Sequence, residues 1–261
     1  MAHLNYSTYL KLDELLKQQI AQSDPAEHDE LLFIVIHQTY ELWFKLILHE
    51  LEKVERNLSA NDLYGSIATF RRVRTVMKTL VGQVDILETM TPMSFTSFRD
   101  RLDTSSGFQS YQYRELEFVL GYKRPEVLKY YPPDLPGHAE MQKRLREPTV
   151  IDHFYDFLAA QGAKIPDELR RRDLTHANQP NPQVQDEILR LYHDRPDLAI
   201  LFEAMIDFDE GLQEWRYRHV KLVERTIGSK TGTGGSPGVD FLKKSLFLPA
   251  FADLWAVRVR M

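Results

Sequence analysis

The chain has 261 residues, 43% of them hydrophobic and 27% charged, with a formal net charge of −5. These values describe a globular protein able to bury a sizeable core, and the negative balance argues against nucleic acid as its partner. There is no cysteine, which excludes disulfides, thiolate zinc sites, iron–sulfur clusters and thiolate-linked haem, so any metal must be held by His, Asp, Glu or Tyr.

Apolar residues recur at three- and four-residue steps along the chain, and no strand-like alternation persists, which predicts an all-α fold. Residues 7–22 read as one amphipathic helix with Ser7 or Thr8 as its cap. After the SDPAE turn, a long helix is expected over about residues 27–58, with Leu32, Phe33, Ile36, Tyr40, Phe44, Ile47, Leu51 and Val54 in its stripe. A third helix, over about residues 61–90, opens at an Asn/Asp cap and stops at Thr91-Pro92. Residues 94–121 read as two shorter helices broken by DTSSG.

Between about residues 130 and 196, eight prolines punctuate short helices such as 150–161. That texture predicts a smaller helical insertion packed on the main bundle of a single domain spanning residues 1–261. A last long helix is expected over about residues 196–227, followed by SKTGTGGSPG and a closing helix over 240–255. No apolar run reaches the roughly 18 residues that cross a bilayer, and the first residues lack the basic-then-apolar layout of a signal peptide. The expected location is cytoplasmic, with no membrane partner.

Two histidines stand out because they lie inside apolar stripes. His219 falls in the row Phe208, Leu212, Trp215, Val223 and Thr226, and His37 lies one turn after Phe33. An imidazole there is either a hydrogen-bonded core residue or a ligand, and two of them on long helices suggest a pocket between helices. A haem would need one such imidazole and an apolar slot, which Phe33, Trp43, Phe44, Trp215 and Tyr217 could line. The Glu-x-x-His pairs of di-iron bundles and the HExxH zinc motif are absent. His28, His49, His138, His153, His176 and His193 lie near acids or turns and are expected at the surface, as is the Asp173-x-x-His176 pair; His3 reads as a loose terminus.

The glycine-rich KTGTGGS string departs from a phosphate loop, since its lysine comes first and helices flank both sides. It reads either as a substrate lid or as a plain connector. Arg99, among Phe95, Phe98 and Leu102, could bind a ligand carboxylate in a dry pocket or pair with Asp100 or Asp103. The short basic clusters RRVR and RRR are expected on solvated helix faces.

Taken in order, YSTYLKLDELL, HDELLFIVIHQTYELWFK, LETMTP, FRDRLDTSSGFQSYQYRELEF, WRYRHVKLVERTIG and GTGGSPGVDFL resemble the tryptophan 2,3-dioxygenase family over nearly the whole chain. The resemblance implies a long-helix bundle enclosing a b-type haem (iron protoporphyrin IX) and an oxidoreductase that inserts both atoms of O2 across the indole C2=C3 bond of L-tryptophan. It implies His219 as the proximal iron ligand and His37 as the distal histidine accepting from the indole N–H. Phe33 would pack on the indole, Arg99 would pair with the substrate carboxylate, and Thr233 would contact its ammonium or carboxylate. Tyr6, Tyr9 and Leu10 would reach a neighbour's pocket in a homotetramer. Some bacterial relatives carry tyrosine where this chain has Phe95, so one hydroxyl contact to the carboxylate is missing. A related haem enzyme acting on another indole, or a non-catalytic helical haem protein, is the alternative.

Overall fold

The computed structural model describes residues 4–233 and 238–261. In it the N-terminal segment does not form the single helix expected over residues 7–22. It makes two short helices, α1 (Tyr6–Leu10) and α2 (Leu12–Leu15), because Lys11 between them adopts left-handed backbone with φ 51°. The cap of α1 is Asn5, whose side chain accepts from the Thr8 amide while the Thr8 hydroxyl closes the reciprocal box. Amide side chains then hold the arm against the next helix: Gln19 Nε2 donates to Gln38 Oε1 at 2.6 Å, and Gln38 Nε2 to the Gln18 carbonyl at 3.0 Å.

The bundle proper begins with α3 (His28–Ser59) and α4 (Leu63–Leu87). The turn between them needs a left-handed residue, supplied by Asn61 (φ 56°), and Asp62 caps α4 by accepting from the Gly65 amide at 2.9 Å. Ile47, Leu51 and Val54 on α3 and Phe70, Val73 and Leu80 on α4 are fully buried, each side chain contributing about 1.5–3 kcal/mol. The remaining helices are α5 (Pro92–Arg99), α6 (Tyr111–Val119), α7 (His138–Arg146), α8 (Val150–Ala160), α9 (Asp167–Arg170), α10 (Pro182–Asp194), α11 (Pro196–Ile227), α12 (Val239–Lys243) and α13 (Ala252–Ala256). Proline at the first position of α5, α10 and α11 fits the helix start, where its missing N–H has no partner to lose. No strand occurs among the described residues, as expected of an all-α chain.

The helix α4 is central. Both α3 and α11 pack along it, yet α3 and α11 scarcely meet each other. Aromatic rings bridge part of that gap, with Trp215 standing 6.1 Å from Tyr40 and 5.9 Å from Phe44. By length and mean hydropathy (1.4 over its most apolar stretch) α3 could cross a membrane, which corrects the expectation that no segment would qualify. A core helix passes the same test, and α3 packs against α4, α6 and α8.

The helices between residues 138 and 194 dock on this frame, α8 on α3, α10 on α11 and α7 on α6. Phe118, Val127, Tyr131, Met141 and Leu145 form a separate small core beneath α7. The expected closing helix over 240–255 is broken into α12 and α13, with Phe247 left-handed between them (φ 59°). The tail is tied down by Asp209 of α11, which is fully buried and accepts from the Ala250 and Phe251 amides at 3.0 Å and from Trp255 Nε1 at 2.9 Å.

Candidate functional site

A cavity of about 260 Å³ fills the gap between α3 and α11, with α4, α5 and α6 contributing to its walls. Phe33, His37, Phe95, Arg99, His219 and Thr233 all line it. Six side chains singled out from sequence, on three helices and one loop, thus meet in one place. Tyr6, Tyr9 and Leu10 do not reach this cavity within the chain, and stand 76%, 73% and 42% exposed.

The two imidazoles are kept neutral. Burial holds His219 down to about 4, with nearby His37 and Arg114 acting in the same sense. His37 is also lowered by burial, against the opposing pull of the Phe33 carbonyl and of Glu41. Both rings lie deep in the fold yet keep some accessible surface, because they face the cavity. His37 Nδ1 lies 2.7 Å from the Phe33 carbonyl oxygen. A carbonyl can only accept, so in the neutral ring Nδ1 carries the proton and Nε2 keeps its lone pair. Neither nitrogen of His219 has a hydrogen-bond partner among the described residues, and its ring stacks on Trp215, 5.2 Å away and tilted by only 3°.

Aromatic rings gather around Phe33. Phe33 packs 4.0 Å from the His37 ring and within 5.7 Å of Phe95 and Phe98. Of the rings predicted to line a haem slot, Phe33, Phe44 and Trp215 do so, whereas Trp43 and Tyr217 do not. Tyr217 is 46% exposed on the far side of α11. Arg99 pairs with neither Asp100 nor Asp103; its Nη2 donates to the Thr231 carbonyl at 2.8 Å, tying α5 to the glycine-rich loop. Residues 234–237 of that loop, and His3, lie outside the described residues. His138 and His153 are half-buried, contrary to the surface position expected of them: His138 Nδ1 bonds the Tyr131 carbonyl, and His153 meets the Ser59 hydroxyl at 3.0 Å.

Sequence reasoning missed the charged end of the cavity. Arg114, Arg124 and Arg216 converge there on Glu117, which is 3% exposed. Arg114 and Arg124 each donate to Glu117 Oε2 at 2.6 Å, and Arg216 lies 3.8 Å from Oε1. Burial alone would raise the Glu117 carboxyl, but the three guanidiniums hold it below the usual carboxylate range. Arg114 and Arg216, whose burial pulls the other way, are nevertheless raised, Arg114 chiefly by Glu117 and Arg216 by Tyr113, Tyr122 and Glu117. The cluster leaves an excess of positive charge on the wall, and the Nε groups of Arg114 and Arg124 are buried without partners. The signal was available: in YRELEF, Arg114 and Glu117 sit three residues apart, a spacing that puts them on one face of a helix.

These residues fit the haem that the resemblance implies. A neutral imidazole without a partner is the donor that ferrous or ferric iron takes, the walls beside it are aromatic and aliphatic, and the arginine cluster offers an excess of positive charge to carboxylates. Among the described residues no group of three or more His, Cys, Asp or Glu could hold a bare metal ion instead.

Comparison with known proteins agrees. The sequence model of the family described as tryptophan 2,3-dioxygenase matches residues 1–134 and 187–261. The curated tryptophan 2,3-dioxygenase of Herpetosiphon aurantiacus is 51% identical over 98% of this chain and 97% of its own length. That of Anaeromyxobacter dehalogenans is 50% identical over 98% and 96%, and that of a Bacillus thuringiensis strain 42% identical over 99% and 93%.

Proposed function

Since the chain belongs to the tryptophan 2,3-dioxygenase family, we propose that its cavity binds a b-type haem on His219 and L-tryptophan beside it, and that it yields N-formyl-L-kynurenine, the first step of tryptophan breakdown. The observation that carries this reading is the pair of neutral imidazoles on separate helices, facing one apolar cavity with Arg99 at its edge. The haem, when bound, supplies the dioxygen chemistry. Everything else falls to the side chains.

His219 would hold the haem iron through its ring nitrogen, and Arg114, Arg124 and Arg216 would meet the haem carboxylates. His37 accepts the indole N–H at Nε2, the nitrogen left free by the Phe33 carbonyl. Its role is to position the indole; an electron-rich C2=C3 bond needs no strong base to react, and no external reductant is consumed. Phe33 and Phe95 enclose the ring and exclude water, with Phe98 packed behind them. Arg99 takes the substrate carboxylate, exchanging the Thr231 carbonyl for a charged partner, and Thr233 closes on the amino-acid end. Phe95 has no hydroxyl to add to that clamp. A single domain carries all of this, with residues 130–196 as a helical insertion packed on the core. In a cytoplasmic homotetramer, Tyr6, Tyr9 and Leu10 of a neighbouring copy complete the pocket, which accounts for their exposure here.

Oxygen uptake by the haem-loaded enzyme tests the reading. L-Tryptophan should consume one O2 per N-formyl-L-kynurenine formed, while tryptamine and 2-methylindole, which lack the carboxylate, should turn over far more slowly. A preference for either decarboxylated compound would reassign the substrate.

A further inference from the structure

A histidine that ligates a metal ordinarily donates its second ring N–H to a carboxylate, a carbonyl or a water, and that bond fixes both the tautomer and the plane of the ring. His37 has a bond of this kind, between Nδ1 and the Phe33 carbonyl at 2.7 Å. His219 has none among the described residues; burial and neighbouring positive groups alone set its charge. Something else must hold its ring.

What meets the ring is Trp215, one helical turn earlier on α11. The four-residue spacing brings the two side chains together, but it does not make them parallel. Here the rings lie 5.2 Å apart and within 3° of parallel, whereas the other ring pairs among the described residues are tilted by 23° or more. The indole is itself fixed from three sides. Tyr40 stands against it at 6.1 Å and Phe44 at 5.9 Å, both edge to face, and Tyr113 lies 5.1 Å away. These are favoured aromatic geometries. Tyr40 is tied in turn to α4, where its hydroxyl donates to the Leu80 carbonyl at 3.0 Å. Trp215 is 7% exposed. The indole is a plate clamped by α3 and α6, and the imidazole lies on it.

We propose that Trp215 is the positioning residue of His219: its indole sets the plane of the imidazole by stacking, in place of the usual hydrogen bond. That the ring holds iron rests on the haem reading above; the stack belongs to the chain itself. A metal–imidazole bond lies in the plane of the ring, so a fixed plane aims the ligating nitrogen. With no acceptor on its other nitrogen, the ring stays a plain neutral imidazole, less basic toward iron than one bonded to a carboxylate.

Two measurements test this, one without haem and one with it. In the haem-free protein with labelled histidine, the carbon-bound ring protons of His219 should be displaced by the indole ring current. Trp215→Leu should return them to ordinary positions, and Trp215→Phe, which keeps a flat ring, should leave them partly displaced. In the hemin-loaded protein, Trp215→Leu should release hemin to a scavenging apoprotein roughly 3- to 10-fold faster than the parent, the worth of one aromatic stack. It should also shift the iron–histidine stretching band of the ferrous state, with Trp215→Phe close to the parent. Leu212→Ala is the control for packing, since Leu212 is 1% exposed on the same helix and lines no part of the cavity. It should lower the melting temperature yet leave the ring signals, the release rate and the band at parent values. Undisplaced His219 signals in the parent would overturn the proposal even if Trp215→Leu failed to fold. So would signals and release rates alike in parent and Trp215→Leu, or equal losses in Leu212→Ala. Displaced signals in a parent that takes up no hemin would support the stack and overturn the haem reading instead.

Discussion

On the wall formed by α3 and α11, His37 and His219 are kept neutral; on the wall formed by α6 and α11, three guanidiniums stay charged around Glu117. Both walls are buried, and both face the same cavity. The difference lies in what each side chain can surrender. An imidazole sheds its proton near neutrality, so desolvation suffices, and with His219 at about 4 only roughly one ring in a thousand is protonated at pH 7. A guanidinium cannot shed its proton, so it enters the interior only beside a carboxylate. One end of the cavity is therefore suited to an uncharged gas, an indole and an iron ligand, and the other to anions. His219 and Arg216, three residues apart on α11, belong to opposite regimes.

The largest expected effect concerns the charged wall. Glu117→Gln removes the single carboxylate that three arginines share, and should cost the haem-free protein about 3–5 kcal/mol in urea unfolding. A loss below about 1 kcal/mol would mean that the arginines are compensated elsewhere, and the contrast between the walls would fail. Arg99→Leu tests the cavity's edge. It should raise KM for L-tryptophan roughly 30- to 150-fold, the equivalent of about 2–3 kcal/mol for a charged hydrogen bond, with the haem spectrum unchanged. An unaltered KM would remove Arg99 from the substrate clamp.

The smallest effect sharpens the rule that a buried charge needs a partner. Glu115, next to the cluster in sequence, is 5% exposed and makes no ion pair or hydrogen bond among the described residues. Burial and then Glu140 push it up to about 7 from 4.5. A carboxyl raised in the folded state binds its proton more tightly there than when unfolded. Stability is therefore lost as pH rises from 4.5 through 7. Glu115→Gln should stabilise the protein by about 1 kcal/mol at pH 8, after discounting for screening, and by nothing below pH 4.5. Equal stabilisation at both pH values would assign the gain to packing.

The same contrast separates what could be read from the sequence and what could not. His37 and His219 were legible because each interrupts a long apolar stripe, and helices of 32 residues such as α3 and α11 carry many turns of that pattern, while Phe33 stood one turn before His37 and Arg99 among Phe95, Phe98 and Leu102. The span of α11 agreed with expectation to the residue, since Pro196 and Gly228 mark both ends. The Arg114–Glu117–Arg124–Arg216 cluster was not legible as a unit, because Arg124 and Arg216 lie 92 residues apart and only packing joins them. The expected helices over 7–22 and 240–255 failed for a local reason. Lys11 and Phe247 take left-handed backbone, a conformation that neither residue type signals. The expectation for His153 failed because α8 lays it against Ser59 of α3, a contact 94 residues distant in sequence.

The most direct test of the account is a hemin titration of three purified proteins: the parent, His219→Ala and His37→Ala. The account predicts a stoichiometric Soret band for the parent and for His37→Ala, reduced turnover in the latter, and no stable haem in His219→Ala. Haem retained by His219→Ala and lost by His37→Ala would reverse the assignment of the two imidazoles, and a parent protein that stays colourless would contradict the haem cavity itself.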